Sequence, residues 1–298
     1  MRRHALPRRG FTLIEIITAL TILAIIGTAM VRLIISQSSF TEKQMAMRNA
    51  RTVSRNAMNI MLTDLRMVQD NGGLVGANPD SITVRVPMAF GLLCSTAGGG
   101  ATMALLPVDS AMTALGRYDG WAVRDSVGET YSYKDANTPV ALSSLSTGTT
   151  TTCTDSVAGP GIFPVTYGTR TGRIISVTES AAGPASPGWP VFLYQVVTYR
   201  FEPSSAFSGR TGLFRKIKTG NNSVSSDEII APFDTSAKFR YYVANADTAQ
   251  SAVPADLNTV RGLQLYLAGS SARSTAGNAN AKTATLVTGV FFKNRRDP

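Results

Sequence analysis

Glu15 is the one charged residue in a run of twenty-one, FTLIEIITALTILAIIGTAMV, at positions 11–31. An ionised carboxylate at the depth of a hydrocarbon layer costs several kcal/mol unless it is paired or neutralised, so a glutamate in such a run carries a functional expectation. Such a carboxylate needs a counter-charge, and no basic residue lies within the run. Hydration near the cytoplasmic face is the alternative reading, and it gives no reason for a glutamate to be there.

The other reactive side chains offer little. Cys94 and Cys153 are the only cysteines. Two thiolates do not complete a four-ligand zinc site, and neither belongs to a CxxC pair. If the body of the protein is exported, the two read as one disulfide closing a long loop, worth roughly 4 kcal/mol in the chain-entropy model. Two unrelated buried thiols remain the other possibility, because pairing cannot be read from sequence. The single histidine is His4. No glycine-rich phosphate loop, metal-ligand cluster or nucleophile elbow occurs. The chain is therefore expected to be no enzyme and to need no cofactor or metal.

The apolar run itself is long enough to cross a bilayer, which takes about 20 residues. Arg2, Arg3, Arg8 and Arg9 precede it and only Arg32 follows closely. That asymmetry places the N-terminus in the cytoplasm and the chain beyond residue ~35 outside. A secretory signal has a shorter apolar core, of roughly 7–15 residues, with a small-residue cleavage site after it. A lipoprotein signal needs a nearby cysteine. A plain signal anchor fits the length and leaves Glu15 unexplained.

Helical patterning continues beyond the run. Neither glycine nor proline occurs between Gly27 and Gly72, and Val53, Ala57, Ile60, Met61, Leu65 and Val68 recur at three- and four-residue spacing. Asp70, Asn71, Gly72 and Gly73 form a stop. The spacing predicts a membrane helix over 11–35 and an amphipathic continuation over 36–71 that packs on a head.

Residues 72–298 read as that head, with strands expected at 81–86, 191–202, 212–217, 237–243, 260–269 and 283–294. Ile82, Val84 and Val86 share one face, as do Val197, Tyr199 and Phe201, and 212–217 is the hairpin partner of 191–202. The loops 146–156 and 270–283 are low in complexity and expected to be exposed. Residues 88–190 carry only short apolar pieces, and an insertion with its own small sheet is expected there. One long helix followed by strands is an α+β arrangement, an antiparallel sheet packed on the helix.

The octapeptide RRGFTLIE, residues 8–15, closely resembles the prepilin leader motif of type IV pilins and type II secretion pseudopilins. The resemblance implies a leader over 1–10, cleavage after Gly10 by prepilin peptidase, and N-methylation of Phe11. Glu15 becomes the fifth mature residue, where the family carries its glutamate, and is implied to neutralise the amine of a neighbouring subunit during assembly. Partners implied are other pilins or pseudopilins, the inner-membrane assembly platform and membrane lipid. The location implied is the inner membrane with a periplasmic head, then a filament. Many pilins carry a proline inside this helix, and here none occurs.

The cut also changes the charge. The chain has 29 basic and 19 acidic residues, and the leader holds four of the basic ones, so the mature chain carries a formal +6. That modest, scattered excess does not by itself point to nucleic acid. Exposed aromatics among basic residues would instead mark the head as a binding module for adhesion or DNA uptake.

The order of the strands at the chain's two ends, with ARTVSRNAMNIMLTDLR on the helix and a last strand after VRGLQLYL, resembles PilW-type minor pilins and the J-type pseudopilin. A head this large is awkward to repeat along a thin filament. The expected role is therefore a minor pilin or pseudopilin at a filament tip or in an initiating complex.

Overall fold

One helix, α1, runs over Leu13–Leu65 in the computed structural model, uninterrupted by proline. The structure describes residues 12–96, 99–106, 117–124, 130–141, 145–147, 166–167, 170–171, 173–179, 185–218, 224–244, 246–274 and 281–292. At 1.5 Å per residue the 53 residues of α1 extend about 80 Å. No residue from Thr12 to Met45 is buried. From there α1 packs on the head through Ala46, Ala50, Ser54, Ala57, Met61 and Leu65. These lie three or four apart and so on one face.

The stripe differs from the expected one. Ala57, Met61, Leu65 and Val68 are buried as expected, whereas Ile60 is 39% exposed. The stripe's membrane-side part is made of Ala46, Ala50 and Ser54, whose short side chains carry little hydrophobic signal but let two backbones approach closely. The helix also ends at Leu65, short of the expected end at 71. The Met67 amide donates to Asp64 O and the Val68 amide to Leu65 O, tightening the chain into turns. A Cβ on Gly73 would lie 2.1 Å from Gln69 O, so the chain folds back on itself there.

The head's strands are β1 Leu74–Asn78, β2 Ser81–Ser95, β3 Ala101–Leu105, β4 Arg117–Arg124, β5 Tyr131–Ala141, β6 Ser146–Thr147, β7 Thr166–Tyr167, β8 Arg170–Thr171, β9 Ile174–Val177, β10 Pro190–Pro203, β11 Thr211–Lys218, β12 Val224–Phe233, β13 Lys238–Val243, β14 Val260–Ser274 and β15 Ala281–Phe291. Among the described residues, β7 and β8 pair with each other and all the others belong to one sheet. Its spine is the antiparallel pair β2–β10. One half of the pair is flanked by β1 and β11, the other by β3 and β4. The predicted hairpin is present, with Tyr199 opposite Arg215 and Val197 opposite Ile217.

Within the region expected to be an insertion, β3, β4, β5, β6 and β9 join the main sheet, while β7 and β8 form a small sheet of their own. The reason lies in β2, which the alternation ended at Val86. It runs on to Ser95 through a bulge, because Leu193 pairs with Ala89 and Tyr194 with Pro87, leaving Met88 unopposed. Proline has no amide to give the ladder and is tolerated at a bulge. The extra residue shifts the inward positions from Ile82, Val84 and Val86 to Ala89 and Leu93, which hides the strand from a period-two reading.

Two main cores result. The larger joins α1 to Ile82, Val84, Val197, Tyr199, Leu213, Phe239, Leu263, Leu265 and their neighbours. The smaller, built on Ala89, Leu93, Met103, Trp121, Ile175 and Leu193, occupies the far half of the spine. Tyr118 donates to Glu179 Oε2 at 3.0 Å and Trp121 Nε1 to Glu179 O at 3.3 Å, which satisfies both large polar aromatics. The loop expected over 270–283 is corrected as well. β14 extends to Ser274 and β15 begins at Ala281, and Ser270 and Ser271 are buried.

Candidate functional site

Gly10 and Phe11 lie outside the described residues. The site can be built from Thr12 onward. Thr12 is extended, with φ −79 and ψ 150, and caps α1. Its amide donates to Glu15 Oε2 at 2.9 Å and its hydroxyl donates to the same oxygen at 3.0 Å. The amide of Glu15 in turn faces Thr12 Oγ1 at 3.4 Å. This is a capping box, in which two orphan amides of the first turn are satisfied reciprocally. The carboxylate that the sequence singles out is thus held at the helix start by its own chain.

Beyond this turn the helix surface is apolar and open. Leu13 is 76% exposed and Ile25 68%. The hydroxyls along it turn inward: Thr18 Oγ1 donates to Ile14 O at 2.9 Å, Thr21 Oγ1 to Thr18 O at 2.8 Å and Thr28 Oγ1 to Ile25 O at 2.9 Å. Each polar group is satisfied within the helix, as a hydrocarbon surrounding demands. By length and composition, α1 is a helix able to cross a membrane.

Polar contacts fasten the other end of α1 to the sheet. Tyr199 Oη donates to Asp64 Oδ2 at 2.6 Å, and Arg215 Nη2 sits 3.4 Å from the same oxygen. Burial, reinforced by the Asp64 charge, pushes the Tyr199 hydroxyl above its ordinary range. Ser54 and Asp64 were not among the sequence expectations for a site. The available signal was the four-residue recurrence of small residues at Ala46, Ala50 and Ser54.

Cys94 is buried and disulfide-bonded. Cys153, the partner expected from the sequence, lies outside the described residues.

Residues 7–31 match the prokaryotic N-terminal methylation motif, and the match takes in Gly10, Phe11 and Glu15. It supports a type IV pilin-like protein: a substrate of prepilin peptidase, held in a membrane by its N-terminal helix and destined to meet other pilins. No curated protein and no solved structure matches the chain.

Proposed function

We propose that this chain is a minor pilin or pseudopilin, cut after Gly10, N-methylated on Phe11 and assembled into or at the tip of a filament of the type IV pilus class. It works as a structural subunit, not an enzyme. The observation that carries the reading is the unburied two-thirds of α1, which opens on an apolar helix surface from Leu13 to Ile35 with one carboxylate at its start. Such a surface needs lipid before assembly and neighbouring helices after it. On release of the Phe11 amine, Glu15 passes from Thr12 to the amine of an adjacent subunit. The N-terminus faces the cytoplasm, the head the periplasm, and Cys94 pairs with Cys153.

Intact-mass and N-terminal analysis of the protein from its native membrane tests the processing step. A chain beginning at methylated Phe11 is expected. One that still begins at Met1 would end the proposal.

The strand order, a long β10–β11 hairpin followed by the β14–β15 pair, favours the PilW-like or J-like branch. Deletion separates the two: loss of surface pili marks the first, and retention of secreted enzymes in the periplasm marks the second.

A further inference from the structure

The face of β13–β14–β15 turned away from α1 is a grid set by register. Lys238 pairs with Tyr266 and Tyr266 with Val287; Arg240 with Gln264 and Gln264 with Gly289; Tyr242 with Gly262 and Gly262 with Phe291. Residues directly opposite one another share a face, and the intervening Phe239, Tyr241, Leu263 and Leu265 are buried in the core on the other side.

Two aromatic platforms stand on this grid. The first is Tyr266, with the Lys238 ammonium 5.9 Å and the Arg240 guanidinium 5.5 Å from its ring centre. The second is Tyr242 with Phe291, their rings 5.0 Å apart, and with Arg261 5.5 Å from Phe291. The glycines make room: a Cβ on Gly262 would lie 2.8 Å from the Phe291 ring. Four residues of β14 separate the platforms, about 13 Å. Between them lie Gln264, donating to Tyr242 Oη at 3.3 Å, and Gly289. Among the described residues no carboxylate pairs with Lys238 or Arg240, and Arg261 alone has an acid, Asp247, at 3.3 Å. Phe291 is 55% exposed and Val287 49%.

A surface whose Lys238 and Arg240 pair with no described carboxylate, and which offers π faces and one amide, suits a ligand with a polyanionic backbone and planar rings. We propose that this face binds single-stranded nucleic acid, with bases stacked on Tyr266 and on Tyr242–Phe291 and phosphates beside Lys238 and Arg240. The proposal concerns the head alone and holds or fails separately from the processing of the helix.

The test is fluorescence anisotropy of a labelled oligothymidylate of ~20 nucleotides with the full chain in detergent micelles, over a range of salt. Tyr266→Ala is expected to weaken binding about tenfold and Tyr266→Phe to preserve it, since a stacked base is worth roughly 1–3 kcal/mol. The double variant Lys238→Gln/Arg240→Gln leaves the core untouched and is expected to reduce the salt slope by about 1.4, two phosphates at 0.7 each. Unchanged affinity in Tyr266→Ala, an unchanged slope in the double variant, or equal binding of a duplex would each overturn the proposal. So would polyglutamate competing as well as the oligonucleotide, which would assign the face to an acidic protein.

Discussion

The Gly269 amide donates to Ser54 Oγ at 2.9 Å, at a close approach of α1 to the sheet. The same hydroxyl lies 3.1 Å from Leu267 O and 3.2 Å from Ala284 O, so one serine bridges β14 and β15. A Cβ at position 269 would stand 2.2 Å from Ala50 O, a backbone atom with nowhere to go. Gly269→Ala is expected to destabilise the full chain by about 2–3 kcal/mol through overpacking. Ser54→Ala should lose about 1–3 kcal/mol through unpaired backbone groups. Urea midpoints in detergent, at unchanged m value, check both.

Glu15→Val removes the carboxylate from both of its partners. Cleavage and methylation are expected to proceed, and the processed subunit is expected to stay in the membrane fraction. Incorporation into filaments should fall at least about tenfold, since an unneutralised amine at membrane depth costs several kcal/mol. Immunoblots of sheared filaments against membranes measure this, and wild-type incorporation would remove the role assigned to Glu15.

Buried tyrosines give the head an alkaline limit. Burial is the leading cause that raises Tyr118, Tyr133, Tyr194, Tyr199 and Tyr241 above the ordinary phenol value. A raised pKa means the folded state keeps protons that the unfolded state releases. The stability these groups contribute is complete below pH ~10 and is lost above it, by about 1.4 kcal/mol per pH unit for each tyrosine. In a titration of tyrosinate absorbance, these five are expected to ionise only as the sheet's circular dichroism collapses.

The proposed Cys94–Cys153 bond is expected to add up to about 4 kcal/mol. Reduction, or Cys153→Ser, should lower the unfolding free energy by up to that amount, read as a fall in the urea midpoint at known m value, and thiol titration of the unreduced chain should find no free cysteine. Two titratable thiols would dissolve the pairing.

The parts of the fold that follow a single period were legible in the sequence. Alternation located Ile82, Val84 and Val86 and Val197, Tyr199 and Phe201 on their core faces, and the glycine- and proline-free stretch located α1. Legibility failed where two periods meet. Pro87 and the extra Met88 break the alternation of β2, so the far half of the spine looked like an unrelated insertion. Hydrophobicity points Ile60 inward, although Ala46, Ala50 and Ser54 make the approach because they are small. The N-terminal site was legible because its residues are contiguous. The β13–β15 grid was not, since it joins residues some fifty positions apart through register alone.

Because no residue of α1 before Ala46 is buried, the head has a stand-off from any bilayer that holds the first part of the helix. Residues 36–45 rise about 15 Å between the two, roughly twice the thickness of one headgroup layer. A subunit waiting in the membrane therefore leaves its underside clear. Under the proposed assembly, partner heads would reach that side while the anchor is still in lipid, and recognition between heads would precede extraction of the helix.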